Sequence, residues 1–173
     1  MITIERLTGA QILAAQAELI QLLDDAVTSG ASVGFLPPLA PSEAQSYWQG
    51  VSADLEAETR ALLVAHDAEG IVGTVQLELP SKPNARHRAE VQKLLVHTRA
   101  RRQGIAQRLM DAIEALAAQE GRRLLVLDTR QGDDAERLYR RRGYIEAGTI
   151  PLYARSADGS LHTTIIFYRE LGS

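Results

Sequence analysis

The segment from Ala89 to Asp128 constrains the fold more than any other part of the chain. Ala89–His97 reads as a strand, and Gly104–Glu120 carries Ile105, Leu109, Ile113 and Leu116 along one helical face. Leu124-Leu-Val-Leu127 is then an unbroken apolar run, which suits a strand covered on both faces. Two neighbouring strands joined through a helix run parallel, because a tight turn can only join antiparallel ones. A unit of this kind demands a mixed α/β sheet.

The flanking segments extend that sheet. Residues 2–7 alternate as a short first strand, and Ile12, Leu19, Leu22 and Leu23 recur at helical spacing between Ala10 and Val27. The Gly/Pro-rich stretch from Ser29 to Pro38 breaks that helix, and Pro41 opens another that runs through Tyr47, Trp48, Val51 and Leu55. Arg60–Ala65 and Ile71–Leu79 form a hairpin around Asp67–Gly70. After Leu127, Asp133, Asp134 and Glu136 start a helix that Arg140, Arg141 and Arg142 finish, a charge order that complements the helix dipole. Tyr144–Tyr153 and Leu161–Glu170 close the chain as an antiparallel pair. The order is β-α-α-β-β-β-α-β-α-β-β, read as a single domain over residues 1–173. Its sheet is seven-stranded and mostly antiparallel, with the fourth and fifth strands parallel and helices on both faces.

Composition narrows the chemistry. With no cysteine there is no disulfide, thiolate metal site or acyl-cysteine intermediate. A net charge of −3 offers no field for nucleic acid or membrane, and no apolar run approaches the roughly 20 residues that span a bilayer. The N-terminus lacks a basic start and apolar core of a signal peptide, so the expected location is cytoplasmic. His97 flanks the phosphate loop and His87 lies in a polar loop, so both read as solvated histidines before they read as bases. His66 and His162 sit near hairpins with no partner at metal-ligand spacing, so no metal is expected. The Arg86, Arg88, Arg99, Arg101 and Arg102 cluster lacks the interleaved aromatics of a base-stacking surface.

The segment Leu95-Val-His-Thr-Arg-Ala-Arg-Arg-Gln-Gly-Ile-Ala-Gln-Arg-Leu-Met110 carries the chemistry. A strand passes through a basic loop and a glycine into a helix. Free amides at a helix start, the positive dipole end and nearby arginines form an anion cradle, with pyrophosphate as the natural guest. Gly104 has no side chain to keep a phosphate away. A P-loop would need Gly, four residues and Gly-Lys-Ser/Thr, which this chain lacks. A dinucleotide fingerprint would need three glycines, of which only Gly104 is present.

The segment resembles the acetyl-CoA motif of the GCN5-related N-acetyltransferases (GNAT): Arg/Gln, two residues, Gly, one residue, Gly/Ala, filled here by Arg101, Gly104 and Ala106. Ala135-Glu-Arg-Leu-Tyr-Arg-Arg-Arg-Gly-Tyr144 resembles a second family signature, and the likeness covers roughly residues 60–170. Thr98, Arg102 and Ala106 depart from the commonest residues, and Gly132 stands where many members carry an asparagine that contacts pantetheine. The resemblance implies that acetyl-CoA binds along Leu94, Leu95 and Val96, with Arg101, Arg102, Gln103, Gly104, Ile105 and Ala106 at its phosphates. It implies a backbone oxyanion site at a bulge around Leu94 and Leu95, and Tyr139 as both a cofactor contact and the acid for the leaving sulfur. Val126-Leu-Asp-Thr-Arg and Phe167-Tyr-Arg-Glu-Leu are similar to the tabtoxin-resistance branch, whose paired carboxylates match Glu90 and Asp128. Either carboxylate can take the amine's proton, directly or through water.

The expected activity is acetyl transfer to a small-molecule amine, an amino-acid-like compound or antibiotic. Acetylation of a protein or peptide and a catalytically silent acyl-CoA sensor are the alternatives. Phe35, Leu36, Trp48 and Tyr153 are expected to line the acceptor pocket. Pairing through the last strands is common in the family, which leaves a homodimer open.

Overall fold

The computed structural model describes residues 1–172. Its strands are Thr3–Leu7 (β1), Arg60–Asp67 (β2), Gly70–Glu78 (β3), Arg88–Val96 (β4), Leu124–Arg130 (β5), Ile145–Arg155 (β6) and Leu161–Glu170 (β7). They form one seven-stranded sheet in the order β1-β2-β3-β4-β5-β7-β6. The β4–β5 pair is parallel and every other pair antiparallel, as the crossover argument requires. Helices Gly9–Ala14 (α1), Gln16–Thr28 (α2), Pro41–Glu56 (α3), Ile105–Gln119 (α4) and Asp134–Arg141 (α5) cover the two faces.

Strand alternation divides the apolar side chains between two cores. On one face Leu109, Met110 and Ile113 of α4 and Tyr139 of α5 pack against Val75, Leu77, Leu127 and Phe167. On the other, Ile12, Leu19, Leu23 and Trp48 pack against Leu62, Val64 and Leu95.

One expected helix is two. The chain kinks at Ala15, where the helical bonding of α1 gives way to that of α2. The kink lets α1 lie against α3, where Ser52 Oγ donates to Gly9 O at 3.0 Å, while α2 sets Leu19, Leu22 and Leu23 into the core. Strand β5 runs on to Arg130, so Asp128 lies inside the strand, opposite Ile166 of β7.

Trp48 is 0% exposed and packs edge-on against Tyr47, with ring centroids 5.1 Å apart. It belongs to the core, which corrects the expectation that it touches an acceptor. Trp48→Ala should therefore cost about 3–5 kcal/mol of stability, read from the denaturant midpoint. Acceptor KM of the folded protein should be unchanged; a selective rise in KM would return Trp48 to the site.

Two irregularities in β4 prepare the site. Thr74 pairs with Leu95 and Gln76 with Gln92, so Lys93 and Leu94 both face Val75. This is a β-bulge, with Lys93 at φ 49° and its carbonyl accepting from Thr74 Oγ1 at 3.1 Å. In addition, β4 and β5 pair only through Arg88–Leu124, Ala89–Leu125 and Glu90–Val126. Beyond Glu90 the two strands diverge, while β5 stays paired with β7 as far as Arg130. A wedge opens in the sheet.

Candidate active site

The edge of β4 that faces the wedge has no strand partner from Val91 to Val96. Backbone groups in such a place require another partner, and an extended amide-bearing chain laid into the wedge would supply one. On the α4–α5 side lies a groove of about 770 Å³, with Leu94, Leu95 and Val96 along one wall and Ala135 and Leu138 of α5 along the other. Arg101, Arg102, Gly104 and Ala106 close its end.

That end is an anion cradle by geometry as well as by motif. A short 3₁₀ turn, Thr98–Ala100, leads into Arg102 at φ 61° and Gly104 at φ 75°, the residue before α4. A Cβ added to Gly104 would meet nothing within 4 Å, so the space before the helix amides is open. Thr98 explains its own departure from the family pattern. Its amide donates to Asp25 Oδ2 at 2.8 Å and its hydroxyl to Oδ1 at 2.6 Å, tying the loop to α2; proline could make neither bond. His97 Nδ1 accepts from Arg99 N at 3.2 Å, which gives it a local structural role.

The expected cofactor residues do not contribute alike. Arg101 folds back, with Nε donating to Val96 O at 3.2 Å and Nη2 to Ser29 Oγ at 2.7 Å, and so braces the groove. Ile105 and Leu95 turn buried side chains into opposite cores, which leaves their backbones for a ligand. Gln103 is exposed and does not line the groove.

A second cavity of about 430 Å³ lies on the other side of the wedge. Leu94, Arg130, Asp133 and Ala135 border both spaces, so the two meet where β4 and β5 part. Glu90, Asp128, Tyr139 and Tyr153 all line the second cavity, although the sequence spreads them from β4 to β6. Glu90 Oε1 accepts from Gln92 Nε2 at 3.0 Å, and Asp128 Oδ2 accepts from Thr164 Oγ1 at 2.7 Å. Tyr139 is 5% exposed. Burial, with the nearby Asp128 charge adding to it, pushes its phenol well above the ordinary value, so it stays protonated at neutral pH.

Phe35 and Leu36 do not line this cavity, which corrects their expected role. Phe35 packs edge-on against Tyr47 at 5.4 Å and Leu36 is largely exposed. The same loop instead contributes Ala31, Ser32, Val33 and Gly34.

Two cavity residues escaped the sequence reading. His162, expected only beside a hairpin, lines the wall and shares a 2.9 Å hydrogen bond with Ser160 Oγ. Lys93 sits at the bulge itself. Its signal was the broken alternation of Val91-Gln-Lys-Leu-Leu95, two polar residues followed by two apolar ones, which is how a bulge reads in sequence. Among the described residues, no cluster of three His, Asp or Glu is placed to hold a metal, and no helix is long and apolar enough to cross a membrane.

Residues 58–146 match the acetyltransferase (GNAT) domain family. An uncharacterized N-acetyltransferase of Azospirillum brasilense, from the hisH-hisA intergenic region, is 35% identical over 116 residues, 66% of this chain and 67% of that one. The fold is shared with yncA from Salmonella typhimurium, solved with its cofactor acetyl-CoA (TM-score 0.80, 16% identity, 100% of this chain and 95% of that one). It is shared also with the ribosomal-protein-alanine N-acetyltransferase of Brucella melitensis (TM-score 0.79, 21% identity, 98% and 99% of the two chains). The unpaired β4 edge and the open space at Gly104 fit the amide-bearing arm and the diphosphate of acetyl-CoA. The chain belongs to the GNAT family, acyltransferases that take their acetyl group from acetyl-CoA.

Proposed function

We propose that residues 1–173 form one N-acetyltransferase domain that passes acetyl directly to a small-molecule primary amine within a ternary complex. The observation that carries this reading is the wedge between β4 and β5, which joins a long groove to a cavity of about 430 Å³. That volume falls in the range of about 300–1,000 Å³ usual for small-molecule sites. The absence of cysteine supports direct transfer over a thioester on the enzyme.

Bound acetyl-CoA supplies an activated thioester carbonyl. Backbone amides at the Lys93–Leu94 bulge have no β5 partner, and they would donate to that carbonyl oxygen as negative charge builds on it. A donor of this kind is worth about 3 kcal/mol in the transition state. Glu90 and Asp128 face the cavity from the two diverging strands, so an ammonium held between them can lose its proton to either, directly or through water. Tyr139 holds a proton that it can give to the departing sulfur. The likeness to the tabtoxin-resistance branch supports the two carboxylates in this role. An exposed apolar edge on β6, formed by Ile145, Ile150 and Leu152, is the surface on which a homodimer would form.

Thiol release from acetyl-CoA, followed with panels of small amines and of peptides, tests the reading. Turnover of small amines is expected. Turnover of peptides alone would move the acceptor to proteins, and donor binding without any turnover would make the chain an acyl-CoA sensor.

A further inference from the structure

The acceptor cavity holds three basic side chains, and their partners separate them. Arg130 is engaged at each of its three nitrogens: Nε donates to Asp133 Oδ1 at 2.9 Å, Nη1 to Ser156 Oγ at 3.2 Å and Nη2 to Gly30 O at 3.0 Å. His162 is held by Ser160. Lys93 alone makes no hydrogen bond or ion pair among the described residues, although it lines the cavity. Its Nζ lies 5.8 Å from the centroid of the Tyr47 ring, which puts the ammonium on the α3 side of the sheet. The bulge at φ 49° fixes the direction in which that side chain leaves the strand.

We propose that Lys93 is a specificity-determining residue that receives an oxyanion of the acceptor, so that the substrate is a small primary amine bearing a carboxylate or similar group a few bonds from its nitrogen. This rests on the function proposed above and names the acceptor class for that same cavity.

The charges around the cavity suit such a zwitterion. Glu90 and Asp128 attract the ammonium end, and Lys93 offers three donors to the anionic end. The two carboxylates do not already satisfy Lys93. Burial lowers its proton affinity first and the Arg60 charge lowers it further, and together these outweigh the opposite pull of Asp128 and Glu90. A half-buried cation that its surroundings undercompensate gains from an incoming anion. Arg60 does not take that role: it lies outside the cavity lining, and its Nε and Nη1 donate to Asp54, Gln76 and Gln92. The Tyr47 ring, its centroid 5.8 Å from the ammonium, supplies a face that attracts the cation without using a hydrogen-bond donor.

Matched acceptors test this: an amino acid, its carboxamide and its decarboxylated amine, each assayed by thiol release with the wild-type protein, Lys93→Met and Lys93→Arg. The wild type should favour the carboxylated acceptor by at least about tenfold in kcat/KM, the scale of one charge-assisted hydrogen bond. Lys93→Met should remove that preference through KM, and Lys93→Arg should restore most of it. Calorimetry should show acetyl-CoA affinity unchanged in both variants, which also reports that they are folded. Equal use of the neutral amines by the wild type, or a preference that survives in Lys93→Met, overturns the assignment while leaving the acetyltransferase reading intact. Turnover of none of the three series would overturn both.

Discussion

Gly104→Asp is expected to abolish measurable binding of acetyl-CoA while leaving the fold in place. Gly104 has φ 75° and caps α4, and a Cβ there would enter open space. Aspartate tolerates the left-handed region better than most residues, so the backbone strain is about 1–2 kcal/mol. Ligand binding pays far more heavily. The new carboxylate would stand before the helix amides, in the space the fold offers to a diphosphate. Like charges about 4 Å apart repel by about 4 kcal/mol near a protein surface, close to a thousandfold in affinity. Calorimetry on the folded variant reads the result, with circular dichroism as the fold control. Gly104→Ala adds no charge and should fall between the two. If Gly104→Asp bound acetyl-CoA normally, the cradle at the start of α4 would not be the diphosphate site.

Tyr139→Phe should lower kcat by about a hundredfold or more, the contribution usual for a general acid, with little change in acetyl-CoA affinity. The ring is buried against Tyr144 and Phe167 and the hydroxyl makes no hydrogen bond among the described residues, so phenylalanine should fit with little loss of stability. Pre-steady-state or steady-state kinetics beside direct binding separates the two effects. Equal losses in turnover and affinity would reduce Tyr139 to a cofactor contact. The phenol's raised proton affinity also has a sign in the pH dependence. Tyr139 and Tyr144 hold their protons in the fold beyond the ordinary value of 10.0, so the unfolded chain ionises first. Their contribution to stability is complete below pH 10 and is lost as pH rises above it. Below that pH, neither should add an alkaline limb to the rate profile.

Much of this was readable because it is local. The start and end of α4, the charge order along α5 and the apolar run in β5 each follow from residues adjacent in the chain, whose backbone preferences act over one or two turns. The phosphate cradle was legible for the same reason: loop, glycine and helix start are contiguous from Arg101 to Ala106. Even the parallel β4–β5 pair followed from a single local rule about crossovers.

The acceptor cavity was decided by tertiary structure. Ala31, Glu90, Lys93, Asp128, Tyr139 and His162 meet there from segments far apart in the chain, and no periodicity encodes that meeting. Insertion of β7 between β5 and β6 brings Thr164 beside Asp128, and the bulge at Lys93 with the divergence after Glu90 opens the wedge. The same packing took Trp48 into the core and Phe35 and Leu36 away from the cavity wall. Local sequence specifies which backbone shapes are cheap; which side chains face one another depends on how strands pair and twist across the whole sheet, and that sum exists only once the chain is folded.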